Sequence, residues 1–296
     1  MPTALGRSLF TSEFLAQLER LTLASRRTFR GRVKGERRSP RKGQSVEFSD
    51  YRPYGVGDDL RYVDWNIYGR LDRLHVKLFV EEEDLCLHLL IDASASMGFG
   101  RPTKLDYATR VAAAIGFVGL VNLERVGVGV LRERASEGWP PARGRSQFPA
   151  LVDFLAGLRA GGATRLNEAL GAYALRAREP GVAVLLSDLL DPAGYEAGVR
   201  ALLERRFEVH VLHLLATEEL HPTLGGDLRL HDSETGEVRD LTVDGEALRL
   251  YRERLAEFLD RAERFCRSHE IGYRRAATDT PLEEFVLAHL RGLVFS

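Results

Sequence analysis

The apolar run Leu85 to Ile91 leads without a break into Asp92-Ala93-Ser94-Ala95-Ser96-Met97-Gly98. A short, continuous apolar run that stops at a polar turn reads as a strand buried on both faces, the kind that parallel sheets contain. Strands follow at Val126–Leu131, Val182–Leu186 and Val209–Leu215, the last two continuous in apolar character, and Ile271–Arg275 reads as the last strand. Helical patterns separate them. Thr103 with Asp106 forms a capping-box start for a helix whose apolar face carries Leu105, Ala108, Ala112, Ile115 and Val118. Further helices are predicted over 148–158, 166–176, 246–268 and 282–290. Alternation of this kind predicts an α/β fold, a doubly wound and mainly parallel sheet with helices on both faces. Arg229–His231 and Val238–Val243 flank a turn and predict a hairpin insertion over 222–245.

The turn after Leu85–Ile91 carries more than fold information. Asp92, Ser94 and Ser96 place a carboxylate and two hydroxyls on one tight loop, at the strand end where open α/β sheets bind ligands. Thr164 lies in Gly161-Gly162-Ala163-Thr164-Arg165-Leu166, and Asp188 follows the run Val182 to Ser187. Three hydroxyls and two carboxylates make an oxygen-rich set suited to a hard cation. Asp and Ser are also common turn formers, so the pentapeptide alone would say little. Its order and strand context with Thr164 and Asp188 make the site specific. In this arrangement the chain resembles the von Willebrand factor A domain and its metal-ion-dependent adhesion site. The resemblance implies Mg²⁺ or Mn²⁺, with Ser94, Ser96 and Thr164 as direct or near-direct ligands and Asp92 and Asp188 holding ligating waters.

Residues 1–84 read differently. Ser12 to Ala24 has the spacing of an amphipathic helix, and nine Lys or Arg between Arg26 and Lys42 stand against the single Glu36. Short β-like pieces follow, Val46–Phe48 and Leu74–Val80, as in a small strand-rich module. The strings Gly43-Gln44-Ser45-Val46-Glu47-Phe48, Arg52-Pro53-Tyr54 and Gly57-Asp58-Asp59-Leu60-Arg61-Tyr62-Val63-Asp64-Trp65 resemble the bacterial "domain of unknown function 58" family. Members join such a module to a von Willebrand A-like domain, which implies a division at 1–84 and 85–296. They are often encoded beside MoxR-type AAA+ ATPases, so the resemblance also implies a protein partner of that class.

Asp58, Asp59, Asp64, Arg52, Arg61 and Trp65 admit two readings, catalytic carboxylates or a structural ion-pair knot around a buried Trp65. No nucleophile or histidine accompanies the acids, which favours the knot. The basic stretch 26–42 could contact phosphate, but it has only Phe29 as an aromatic, and Glu81-Glu82-Glu83-Asp84 offers compensating charge. With a net charge of −1, nucleic-acid binding is not expected. His210 and His213 differ by three positions on one strand and face opposite sides, so they cannot share a metal.

No run approaches a membrane span, Met1 to Phe10 lacks a signal-peptide core, and the two cysteines, Cys86 and Cys266, fit reduced thiols. A cytoplasmic protein is expected. Only four of 42 basic residues are lysines (Lys34, Lys42, Lys77, Lys104), and Asn and Gln number three each. A heat-adapted source and a GC-rich genome would both produce that bias.

Two functions are compatible with these residues. The first is a non-enzymatic, metal-dependent interaction module that docks an acidic partner residue, acting as an adaptor for a MoxR-type ATPase. The second is a metal-dependent hydrolase using the same cation to activate water. A hydrolase needs a positioned general base, and the sequence indicates none.

Overall fold

The computed structural model describes residues 46–81, 86–122, 124–132, 138–163, 165–234 and 236–286. The expected helix at Ser12–Ala24, the basic stretch 26–42 and Thr164 lie outside the described residues. Those that are described fall into two compact units, one within 27–84 and one from 85 onward.

In the first unit, β1 (Val46–Pro53) pairs antiparallel with β2 (His75–Glu81). The connection holds a short 3-10 turn, Leu60–Tyr62, and the helix α1 (Trp65–Leu71). Acidic side chains start both: Asp59 accepts from the Arg61 amide, and Asp64 from the Asn66 and Ile67 amides. This is the preferred chemistry at a helix N-terminus, where amides lack intrahelical partners. The expected ion pairs form. Arg52 grips Asp58 through two bonds of 2.6 and 2.7 Å, and Arg61 lies on Asp59. Asp64 is neutralised by neither arginine. Lys77 reaches it at 3.1 Å and Tyr51 donates to it at 3.0 Å. The Lys77 ammonium holds the Asp64 carboxyl low, at about 2. Trp65 does not sit inside this knot. It is 61% exposed, because it opens α1 on a solvent-facing side while the adjacent Val63 and Asp64 turn inward.

The second unit is built on a six-stranded sheet. Its strands are β3 (Cys86–Asp92), β4 (Arg125–Leu131), β5 (Gly138–Arg143), β6 (Val182–Ser187), β7 (Glu208–Leu215) and β10 (Gly272–Ala277). They lie in the order β10-β7-β6-β3-β4-β5, all parallel except β5. Helix α2 (Lys104–Val121) follows β3, and its N-cap is Thr103, whose hydroxyl accepts from the Asp106 amide as the sequence predicts. The remaining helices are α3 (Phe148–Ala156), α4 (Leu166–Arg176), α5 (Glu196–Glu204), α6 (Thr217–Leu220) and α7 (Gly245–Ser268). Residues 282–286 are helical, and the rest of the predicted closing helix lies outside the described residues. Strands β8 (Gly226–His231) and β9 (Val238–Val243) form the expected hairpin as a separate two-stranded sheet.

Side chains alternate across β3 into two cores. Leu87, Leu89 and Ile91 join Ala112, Ile115 and Leu151 of α2 and α3, whereas Leu90 joins Leu170, Val199 and Ala262 of α4, α5 and α7. Both sheet faces are therefore covered, which is why the strands read as unbroken apolar runs.

Strand β5 and helices α5 and α6 were not foreseen. The β5 sequence, Gly-Trp-Pro-Pro-Ala-Arg, contains two prolines that cannot donate to a ladder, a composition that argues against a central strand. It is accommodated at the sheet edge, where the register with β4 slips between Val126 and Val128. The intervening Gly127 leaves room for the Pro141 ring, 3.1 Å from where a Cβ would stand.

Candidate functional site

Strands β3 and β6 are neighbours, yet the helices that follow them lie on opposite faces, α2 in one core and α5 in the other. The chain thus diverges above the carboxyl ends of these two strands and leaves a crevice, the usual ligand position in such sheets. Asp92 ends β3, and Asp188 directly follows β6. Both are buried, each 1% exposed.

The crevice is lined with hydroxyls and carboxylates bonded to one another. Asp92 accepts from the Ser94 amide at 3.0 Å, an Asx-type turn that tightens the loop, and from the Ser187 hydroxyl at 2.6 Å. Ser96 donates to Asp188 Oδ2 at 2.8 Å, and the Ser94 and Ser96 hydroxyls lie 2.9 Å apart. The other Asp188 oxygen, Oδ1, accepts from the Leu190 amide at 3.0 Å. Leu189, between them, adopts the left-handed conformation with φ 58°. A bulky residue there costs about 1–2 kcal/mol, strain stored in the turn that positions Asp188.

A second connection holds Gly161 and Gly162 to this loop. The Gly161 amide donates to the Ala93 carbonyl at 3.0 Å, and the Ala95 amide to the Gly162 carbonyl at 2.9 Å. The structure thus brings together Asp92, Ser94, Ser96 and Asp188, with the backbone immediately before Thr164 bonded to their loop.

Four further residues belong to the cluster, of which the sequence points only to His213, as one of two histidines that cannot share a metal. Ser187 bonds Asp92, as above. Lys104 is fully buried, and its ammonium lies 2.7 Å from Asp188 Oδ2 and 2.5 Å from Glu219 Oε1. Glu219, on α6, turns its other oxygen to the Ala216 amide at 2.7 Å. His213 Nε2 donates to the Asp188 carbonyl at 2.9 Å, which leaves Nδ1 to accept from the Tyr273 hydroxyl at 2.8 Å. Thr103-Lys104 did mark a helix start in the sequence. Nothing local indicated that this lysine meets an acid 84 positions later.

Electrostatics follow from burial and charge. Desolvation pushes the Asp92 carboxyl up, to about 6, and the neighbouring Asp188 charge pushes the same way, against the bonds from Ser187 and Ser94. Burial disfavours the Lys104 charge, but attraction to Asp188 and Glu219 outweighs it and raises its pKa. Burial lowers the His213 imidazole to about 4, so the ring is neutral at pH 7.

Among the described residues, no group of three or more His, Cys, Asp and Glu gathers as a metal-holding cluster. The donors available here are of another kind: the Ser94 and Ser96 hydroxyls with the Asp92 and Asp188 carboxylates. An all-oxygen set with neutral and anionic members fits a hard divalent cation such as Mg²⁺ or Mn²⁺. None of the described helices is long and apolar enough to cross a membrane.

Several known proteins are similar to this chain. "Uncharacterized protein Rv1480" of Mycobacterium tuberculosis (strain ATCC 25618 / H37Rv) is 29% identical over 248 residues, 82% of this chain and 78% of the relative. Among solved structures, the conserved hypothetical protein BatB from Bacteroides thetaiotaomicron covers 72% of this chain and 100% of its own, at 15% identity and a TM-score of 0.45. The SpRpn10 VWA domain covers 69% of this chain and 94% of its own, at 14% identity and a TM-score of 0.39. The family described as "Protein of unknown function DUF58" matches residues 50–259, a span that takes in both the Gly57–Trp65 string and the whole crevice from Asp92 to Glu219. The chain belongs to the DUF58 family.

Proposed function

We propose that this chain is a metal-dependent protein-interaction module, in which Ser94, Ser96 and Thr164, supported by Asp92 and Asp188, hold Mg²⁺ or Mn²⁺ and present it to an acidic side chain of a partner. The observation that carries this reading is the hydroxyl chain from Ser94 through Ser96 to Asp188, at 2.9 and 2.8 Å, beside the buried Asp92. Two buried carboxylates on adjacent strand ends repel each other, and a divalent ion between them would relieve that repulsion. Bound mainly by neutral hydroxyls, such an ion keeps most of its charge and favours a carboxylate over water once an interface excludes solvent.

The partner we propose is a MoxR-type AAA+ ATPase, for which the chain would act as an adaptor in the cytoplasm. The free, buried thiols of Cys86 and Cys266 suit a reducing compartment. Hydrolysis is the less supported reading, since His213, the histidine bonded to Asp188, has both ring nitrogens engaged. The deciding experiment is a binding titration between the full chain and a MoxR-type ATPase from the same organism, with Mg²⁺ and with EDTA. Association that requires the metal and is lost in Asp92→Ala or Thr164→Ala, with both variants folded, is the expected result. Tight association that survives chelation would overturn the proposal.

A further inference from the structure

The Lys104 ammonium occupies an unusual place for a charge. It is fully buried, and it donates to the same Asp188 oxygen, Oδ2, that receives the Ser96 hydroxyl. It also touches Glu219 at 2.5 Å, a carboxylate whose side chain is 16% exposed and which is tied back to its own helix start by the Ala216 amide. Two carboxylates, those of Asp188 and Glu219, thus share a single lysine, and Asp92 lies beside Asp188.

From this geometry we infer that Lys104 is a built-in counter-cation that competes with a divalent metal for Asp188, and that Glu219 is its alternative seat. The inference rests on the reading of the crevice as a metal site. A divalent ion and an ammonium on one carboxylate repel strongly where water cannot screen them. Metal entry therefore requires the lysine to release Asp188, and the buried ammonium has somewhere to go only because Glu219 already holds it. A compact ammonium on a flexible stem can pivot between two acids, whereas a planar guanidinium locks onto one. In a chain with only four lysines among 42 basic residues, the residue at this position is one of the four. Lys104 and Glu219 are positioning residues: they set the metal affinity and are not themselves ligands.

The consequence is a site whose affinity for bare metal is held down and in which the Asp188 carboxylate already has a counter-cation when no metal is bound. Glu219 extends the linkage outward, because its carbonyl accepts from the Tyr251 hydroxyl of α7 at 2.8 Å.

The test is Mn²⁺ titration of the full chain, followed by calorimetry and by the loss of free-Mn²⁺ electron paramagnetic resonance signal. Lys104→Met is expected to bind Mn²⁺ at least about tenfold more tightly than wild type, since the competing charge is gone. Glu219→Gln is expected to bind several-fold more weakly, since the lysine then has only Asp188. Opposite signs are the signature, because a purely packing role would weaken both. Saturating Mn²⁺ is also expected to raise the melting temperature more in Lys104→Met than in wild type. Should Lys104→Met not fold, the direction of change in Glu219→Gln decides. Wild type that binds Mn²⁺ while the folded variants stay within about twofold of it would overturn this inference and leave the metal site standing. No Mn²⁺ binding by any of the three proteins would overturn the metal site itself, and this inference with it.

Discussion

The ammonium of Lys104 lies 2.7 Å from the carboxylate of Asp188, with the two side chains 0% and 2% exposed. A charge pair this deep is sensitive to the loss of one member, although Lys104 keeps Glu219 at 2.5 Å when Asp188 is removed. In the absence of divalent metal, Asp188→Ala is expected to lower the unfolding free energy by less than the roughly 3–5 kcal/mol of a buried charge left wholly unpaired, because Glu219 remains. Lys104→Met combined with Asp188→Ala removes both charges of the pair and is expected to cost less than the two single substitutions summed. Urea denaturation of the single and double variants measures the difference, and additive effects would refute direct coupling.

Metal binding tests the crevice ligands. Ser94→Ala/Ser96→Ala keeps the strand-end carboxylates and removes two neutral donors, so Mg²⁺ affinity is expected to fall at least about tenfold, or 1.4 kcal/mol. Equal affinity by calorimetry would show that the hydroxyls only brace the loop through their 2.9 Å bond.

Trp65 separates fold from surface in the first unit. At 61% exposed, it loses little on truncation, and Trp65→Ala is expected to change stability by no more than about 0.5 kcal/mol. Asp64→Ala should destabilise more, because it removes the cap of α1 together with the contacts to Lys77 and Tyr51. Thermal melts of the two variants give the order. A Trp65→Ala protein of unchanged stability that no longer binds its partner would make this exposed ring part of an interface.

Acid should destabilise the second unit through its buried imidazoles. Burial lowers both His88 and His213 from 6.5 to about 4. The unfolded chain then binds more protons than the native one between those values, so stability is full above pH 6.5 and drains away as pH falls toward 4. Each ring contributes at most about 3 kcal/mol. Asp92 works in the opposite sense, because its pKa is raised from 3.8 to about 6 and the native state binds the extra proton. The two histidines outweigh the one acid, and the net slope is positive. His88→Asn, which keeps a polar atom toward the Tyr173 hydroxyl, is expected to flatten the loss of unfolding free energy between pH 7 and pH 5. An unchanged slope would assign the acid sensitivity elsewhere.

Much of this was legible in the chain itself, for physical reasons that differ from place to place. Helix α4 was expected over 166–176 and spans Leu166–Arg176. The buried strands were found within one or two residues, since burial on both faces leaves no polar position to blur their ends. Asp92, Ser94 and Ser96 are neighbours in sequence, so their convergence is a property of one turn. Asp188 was reachable because its strand is equally clear. Lys104 and Glu219 were not, because a buried lysine resembles any solvated one until its distant partners are known. Trp65 failed in the other direction: an aromatic among ion pairs suggests a core, yet its place at the start of a short helix leaves it facing outward. Strand β5 was hidden by Pro140 and Pro141, whose composition speaks against the very element they form.

Those two prolines also have a consequence for how the molecule behaves in a crowd. Strand β5 closes one side of the six-stranded sheet, and a bare strand at such a border offers its amides to any extended chain that drifts past. Two consecutive residues here have no amide hydrogen to give, and the slipped register at Gly127 bends the border locally. The sheet therefore ends in a strand whose row of donors is broken, and self-association by strand addition is made harder on that side by composition.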